Sequence, residues 1–141
     1  MILYQQVNNS RRKEVRIMAI QHSWKYTRTV FDHEGFLKAT RNLFQVVSQK
    51  PFQSKKNPED KGTMLTLLIT HDDMNYGVDK NGRKRENNIL NTFDVTILNG
   101  KTELPFKKGD KVSLAGFIPE KSYVIGFDLI LRFSDIRKAG N

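Results

Sequence analysis

The second half of the chain, residues 91–138, consists of apolar-rich runs punctuated by glycines, and this pattern most constrains the fold. In its middle run Val112 and Leu114 fall on one face while Ser113 and Ala115 fall on the other, because successive side chains of a strand point to opposite sides. An apolar residue at every second position is typical of a half-buried strand and not of a helix. The pattern therefore predicts a β-rich fold.

Five runs of this kind make up about half of the chain after residue 35. The predicted strands are residues 36–52, with a bend or bulge, and residues 63–70, 91–98, 111–118 and 127–136. A short helix or turn at residues 102–108 connects the third strand to the fourth, and a short hairpin loop at residues 119–126 leads to the fifth. A chain of 141 residues has room for one five-stranded barrel and is short for two cores. We therefore predict an all-β fold with one barrel.

A long polar stretch, residues 71–88, separates the second and third predicted strands. Near its middle lies Asn81-Gly82, a pair typical of a type I′ turn, in which both central residues take positive φ. Four cations crowd around this pair: Lys80, Arg83, Lys84 and Arg85. The sequence therefore predicts a long basic hairpin between strands 2 and 3.

Composition narrows the class of partner. The formal net charge is +9, from 24 Lys and Arg against 15 Asp and Glu, which favours a polyanion such as nucleic acid, with solubility as the plain alternative. Cysteine is absent, which excludes disulfides, thiolate metal sites and a cysteine nucleophile, and favours a reducing cytosol. No apolar run approaches the roughly 20 residues that span a bilayer. We therefore expect a protein without a membrane segment.

The first 17 residues show neither strand alternation nor a helical stripe, and they are predicted to be a flexible basic extension. Residues 13–15, Lys-Glu-Val, have codons that can spell a bacterial ribosome-binding sequence, and they lie two codons before Met18. The hypothesis is that natural translation begins at Met18, so that residues 18–141 form a single domain. An intact-mass measurement that finds Met1 in the natural protein would contradict it.

Two motifs and one aromatic position of the second half follow a known pattern. Phe93 leads an apolar run that ends in Gly-Lys at residues 100–101, and residues 106–109, Phe-Lys-Lys-Gly, turn into a strand that ends at Gly116. An aromatic, Tyr123, follows that strand. In these features the chain resembles the bacterial and phage single-stranded DNA-binding proteins, a family with the OB-fold, and its lactococcal phage members above all.

The resemblance covers roughly residues 36–138 and implies an OB barrel whose aromatic side chains stack on the bases of single-stranded DNA. It assigns this role to Phe93, and to Tyr76 and Tyr123 after it. Two features depart from the family pattern: Asn99 stands where the family has an aromatic before the Gly-Lys pair, and the acidic, apolar tip that recruits partner proteins in bacterial members is absent from this sequence.

Further candidate residues follow from the chemistry of single-strand binding, which needs flat side chains for the bases and cations for the phosphates. Phe117 and Trp24 are additional candidates for stacking. For every aromatic named, packing in the core or at an interface is the alternative. The candidates for binding phosphate lie on the basic hairpin and near the strand ends: Lys80, Arg83, Lys84, Arg85, Lys101, Lys107, Lys108, Lys111 and Lys121.

The resulting expectation is a protein that coats and protects single-stranded DNA without reading its sequence, during phage replication and recombination in the cytoplasm of the bacterial host. It requires no cofactor. The resemblance also implies a homo-oligomer, a dimer or a tetramer, and a recombinase or replication proteins are further candidate partners. Two alternatives stay open, namely an RNA-binding OB protein and an oligomeric interaction module.

Catalysis has little support in the sequence. The cluster His71-Asp72-Asp73 together with Asp94 offers carboxylates and an imidazole for Mg²⁺ or Mn²⁺, but its spacing matches no metal motif. Asp and His at a strand-to-loop boundary are ordinary turn residues. The glycines do not form a phosphate-binding loop, because no strand-to-helix junction contains them. We therefore expect a binding protein with no catalytic residues and no metal site.

Overall fold

A computed structural model describes residues 20–139 of the chain. The predicted basic extension of residues 1–17 and the proposed start at Met18 lie outside the described residues. One short helix precedes seven strands, and single 3-10 turns lie at Ser23–Lys25 and Pro119–Lys121. The elements are α1 (His33–Ala39), β1 (Phe44–Gln53), β2 (Lys61–Ile69), β3 (Thr92–Ile97), β4 (Lys111–Phe117), β5 (Tyr123–Ile125), β6 (Asp128–Ile130) and β7 (Arg132–Lys138).

Five of the strands close into a barrel in the order β1-β2-β3-β7-β4, with β4 pairing back to β1. All neighbours are antiparallel except β3 and β7, which are parallel. The predicted all-β, OB-like barrel is confirmed. The two remaining strands, β5 and β6, form a separate two-stranded hairpin between β4 and β7.

The core follows from the alternation along the strands. Phe44, Leu65, Leu67, Ile97 and Phe133 face inward and are almost fully buried, each contributing about 1.5–3 kcal/mol relative to an exposed side chain. The bend that the sequence predicts in the first strand is a bulge, where the pairing of β1 with β2 shifts register between Val46 and Ser48. A bulge bends and twists the strand locally, which helps β1 to pair with both β2 and β4.

The sequence predicts that the first strand begins at residue 36, and this prediction is wrong because residues 33–39 form α1. The Asp32 carboxylate caps this helix by accepting a hydrogen bond from the Gly35 amide, and such a cap favours a helix over an extended chain. The helix ends where Arg41 and Asn42 take positive φ, +62° and +46°. Asn42 then bonds both backbone groups of Leu114 on β4 through its side-chain amide, which ties the end of the helix segment to the barrel.

The predicted type I′ turn is also wrong. Gly82 has φ +79°, but Asn81 is not in the left-handed region, and the Gly82 amide donates to the Asp79 carbonyl. This is a type I turn followed by a left-handed glycine. The Asp79 carboxylate decides the outcome, because it accepts hydrogen bonds from the amides of Asn81 and Arg83. A single bridge, Val78 to Lys84, joins the two sides of the basic loop.

The connection between β3 and β4 takes the turn form and not the helical one. Gln49 of β1 holds it, because its side-chain amide donates to the carbonyls of Leu104 and Phe106 and accepts from the Leu104 amide. Leu104 is buried in the core. The fifth predicted strand is divided at Leu131 into β6 and β7. Leu131 is buried, and its carbonyl accepts a hydrogen bond from the Thr96 amide where the chain passes from the hairpin into the barrel.

Candidate nucleic-acid interface

The long connection between β2 and β3, residues 70–91, is organised by one buried carboxylate. Asp72 accepts hydrogen bonds from the Tyr76 hydroxyl (2.8 Å), the Asn88 amide (2.8 Å) and the Met74 amide (3.2 Å). Burial raises the pKa of Asp72, but these hydrogen bonds stabilise the carboxylate more strongly, and its pKa is lowered overall. Asp72 therefore joins both sides of the loop at its base, although the loop has almost no strand pairing.

A second contact fixes this loop to α1. The Arg41 guanidinium donates to both oxygens of the Asp73 carboxylate, at 2.9 and 3.0 Å, and the Asp73 amide donates to the Ala39 carbonyl. The hydrogen bonds from Arg41 lower the pKa of Asp73. The base of the loop is thus held by the helix as well as by its own network, and its tip projects as a finger, residues 77–86.

The finger presents the four cations that the sequence analysis placed there. Lys80, Arg83 and Lys84 are exposed and have no ion-pair partner within residues 20–139. Arg85 donates from Nη1 to the Tyr76 carbonyl at 2.9 Å, which fixes this side chain against the base of the finger. The finger thus carries four cations against two acids, Asp79 and Glu86, and none of the four cations forms an ion pair in the part of the chain that the structure describes.

An aromatic groove of about 850 Å³ lies between the finger base and the segment around α1. The rings of Phe31, Phe36, Phe93 and Tyr76 line it, together with Leu129 from β6. A smaller recess of about 360 Å³, lined by Lys84 and Arg85 and also by Asp73, shares Asp72, Met74 and Tyr76 with the groove. The aromatic surface and the cationic surface are therefore continuous through Tyr76.

Phe93 lies on the inward face of β3. It is paired with Leu67, which is fully buried, and its ring meets Phe44 and Phe36 edge to face at centroid distances of 5.0 and 5.3 Å. The ring is half-buried and lines the groove. Phe93 therefore packs against the core and also lines the groove, and its role in stacking stays a prediction.

We expect Phe93→Ala to lower the free energy of unfolding by about 2 kcal/mol, because it removes two aromatic contacts and leaves a cavity at the edge of the core. Tyr123→Ala is the control, since Tyr123 is 47% exposed and its removal should change stability little. Urea unfolding of both variants measures the difference. Equal stability of the two variants would show that Phe93 is not part of the core.

The other predicted stacking residues lie in different surroundings. Tyr76 is engaged in the Asp72 network. Phe117 stacks on His33 at 3.9 Å and meets Phe133 of the core at 5.3 Å. Tyr123 lies on β5, and Trp24 is 69% exposed with the ammonium of Lys25 5.1 Å from its ring centroid. Of the predicted stacking residues, the structure brings Tyr76 and Phe93 together in one groove and leaves Phe117, Tyr123 and Trp24 outside it.

The remaining predicted phosphate ligands are spread over the barrel. Four of them are exposed: Lys101, Lys107, Lys108 and Lys111. Lys121 is different, because its ammonium pairs with the Asp60 carboxylate and so joins the segment after β4 to the loop between β1 and β2. The charge of Lys121 is already balanced by this contact.

The outer face of β1, β2, β3 and β7 carries a pair of residues that the sequence analysis missed. The guanidinium carbon of Arg132 lies 4.9 Å from the ring centroid of Phe52, and its Nε is buried without a hydrogen-bond partner within residues 20–139. Phe52 lies near the end of β1 and Arg132 begins β7, so only the strand order brings them together. The sequence signal was limited to one cation, Arg132, between the apolar residues Leu131 and Phe133.

The acidic residues considered for metal binding do not form a cluster. Asp72 and Asp73 are engaged at the finger base, and Asp94 lies on the outer face of β3, where its carboxylate accepts a hydrogen bond from the Thr66 hydroxyl at 2.7 Å. Within residues 20–139 no group of three or more metal-ligating side chains converges. In the same part of the chain, no helix has the length and apolar character required to cross a membrane.

The closed five-stranded barrel defines an all-β protein with an OB-like fold. Comparisons with protein-family models, with curated proteins and with solved structures each found no match to this chain.

Proposed function

We propose that this protein binds single-stranded DNA without sequence preference. The observation that carries the proposal is the continuity of the cationic finger with the aromatic groove through Tyr76, on a barrel of the OB type. Folds of this type use the outer surface of the barrel and its loops for oligonucleotides. A groove with rings for bases beside cations for phosphates matches the two chemical needs of a single strand.

The expected free energy of base stacking and the expected salt dependence of phosphate binding favour a site that uses both interactions. Base stacking on an aromatic contributes about 1–3 kcal/mol per base and tolerates any base. For a single strand, log K falls as log salt rises, and each phosphate neutralised makes this negative slope steeper by about 0.7. Lys80, Arg83 and Lys84 of the finger, which form no ion pair with any residue that the structure describes, are available for this purpose. Binding should therefore be strongest at low salt and tolerant of sequence.

The wider role rests on the resemblance described above. In that role the protein coats and protects single-stranded DNA during phage replication and recombination, acts as a homo-oligomer, and works in the cytoplasm of the bacterial host with a recombinase or replication proteins. It uses no cofactor and catalyses no reaction.

The experiment that tests the proposal is a titration of a labelled thymidine oligomer, followed by fluorescence anisotropy at two salt concentrations. Unlabelled duplex DNA and RNA of matched length serve as competitors. Salt-sensitive binding that duplex and RNA displace poorly supports the proposal. Preferential displacement by RNA would replace it with RNA binding, and no binding at low salt would leave the barrel as an interaction module.

The outer face offers an independent prediction through Asp94, whose exposed carboxylate repels a polyanion. We expect Asp94→Asn to strengthen binding about two- to threefold at low salt, because it removes one negative charge while its amide oxygen still accepts from Thr66. Glu103→Gln, which removes the same charge from the connection between β3 and β4, is the matched control. The prediction fails if both variants bind the oligomer alike.

A further inference from the structure

The position of Arg132 is set by the strand register. Arg132 is paired with Thr96 of β3, and Thr96 is paired with Met64 of β2. Phe52 lies on β1, on the far side of β2. The side chain of Arg132 therefore extends along the outer face, across β3 and β2, to place its guanidinium over the Phe52 ring.

Gly62 lies opposite Phe52 in the pairing of β1 with β2. A Cβ at this position would clash with the Ile97 carbonyl oxygen, so the close approach of β2 and β3 admits only glycine. The guanidinium carbon of Arg132 lies over the Phe52 ring, 4.9 Å from its centroid, and this contact holds the side chain on the outer face.

No carboxylate of the described residues forms an ion pair with Arg132. Arg41 and Arg137 are each held by an aspartate, at 2.9 Å in both cases, whereas Arg132 has no ion pair and no side-chain hydrogen bond within residues 20–139. Arginine stays protonated at any physiological pH. Among the Arg132 nitrogens only Nε is buried without an acceptor within residues 20–139, and the planar guanidinium carries further N–H donors that match phosphate oxygens.

We propose that Arg132, held over the Phe52 ring, is a phosphate-binding residue that contacts the backbone of single-stranded nucleic acid on the outer face of the barrel. Lys50 supplies a second exposed cation on this face, in the cross-strand row of Met64, Thr96 and Arg132. The proposal rests on the proposed function, but it concerns a surface separate from the finger. It predicts two groups of phosphate contacts, so that variants of the two should have additive effects on affinity.

The test compares Arg132→Gln with Arg137→Gln, which removes the same charge from the same strand. We expect Arg132→Gln to weaken binding of the labelled thymidine oligomer about fivefold at low salt and to reduce the salt slope by about 0.7, the value for one phosphate. Arg137→Gln should change both quantities little, because Asp135 already balances Arg137. Equal effects of the two variants would overturn the proposal.

A second variant separates planar recognition from charge. Arg132→Lys keeps the positive charge but loses the planar fork and the guanidinium contact with Phe52, so it should keep most of the salt slope while it weakens binding about twofold to threefold. Urea unfolding checks that each variant folds. If the wild-type protein binds no single strand at low salt, the proposed function fails and this proposal with it; if the wild-type protein binds and Arg132→Lys and Arg132→Gln both match it, only the role of Arg132 fails.

Discussion

Reversing two charges on the finger, Arg83→Glu with Lys84→Glu, should weaken binding of single-stranded DNA by roughly tenfold to a hundredfold at low salt. The change removes two cations that have no ion-pair partner within residues 20–139 and places two anions beside the phosphates. If each cation neutralises one phosphate, the salt slope should fall by about 1.4. Anisotropy titrations at four or more salt concentrations measure both the affinity and the slope.

The matched control is Lys55→Glu with Lys56→Glu. These lysines are exposed in the loop between β1 and β2, and the nine-residue strand β2 separates that loop from the finger. The net charge of the two double variants is the same, so a loss of long-range attraction would affect both alike. A finger that contacts the phosphates requires the larger loss in the first variant. Equal losses would assign the effect to net charge and remove the finger from the interface.

The second large effect is expected on stability, from Asp72→Ala. This change leaves the Tyr76 hydroxyl and the amides of Met74 and Asn88 without their acceptor, in a place that water reaches poorly. We expect the free energy of unfolding to fall by about 2–4 kcal/mol. Urea unfolding measures this loss, and hydrogen exchange at the Asn88 amide reports whether the finger base opens.

The control for Asp72 is its neighbour. Asp73→Ala removes the ion pair with Arg41, in which both side chains are more than half exposed, and exposed ion pairs contribute about 0–1 kcal/mol. A loss below 1 kcal/mol is therefore expected. If the two alanine variants lose the same stability, Asp72 is not the residue that organises the loop.

The same carboxylate makes stability depend on pH. Because the pKa of Asp72 is lowered in the folded protein, the unfolded chain takes up the proton more readily than the folded chain. The contribution of Asp72 is therefore complete above the ordinary carboxyl pKa and is lost as the pH falls through the lowered value. Unfolding of Asp72→Asn over the acid range should show a weaker pH dependence than the wild-type protein. An unchanged profile would mean that other carboxylates dominate.

Local patterns were sufficient for the barrel strands and for the location of the finger. The alternation at Val112 and Leu114 predicts β4, and the run at residues 63–70 predicts β2 within two residues at its start and one at its end. Where the prediction failed, a side chain bonded to a nearby backbone group and overrode the pattern. Asp32 caps α1 in a segment predicted as strand, and Asp79 sets the turn at Gly82.

The candidate site was predictable only in part, because it depends on contacts between distant segments. Lys84 and Arg85 are evident from the sequence, but their continuity with the groove requires Tyr76, whose position follows from its bond to Asp72. Arg132 and Phe52 have no shared motif. Their contact exists because β7 lies beside β3 in the barrel and because Gly62 allows β2 and β3 to approach closely.

By itself, the sequence determined the strand periodicity, the excess of positive charge and its concentration between β2 and β3, since each of these depends on residues close together in the chain. Only the tertiary structure decided which face of each strand turns inward. A periodicity of two residues shows that the two faces of a strand alternate, but it does not show which face is buried. A shift of one residue in the register exchanges the two faces. The pairing of Phe93 with Leu67 therefore places Phe93 against the core, and leaves Asp94 and Arg132 on the outer face.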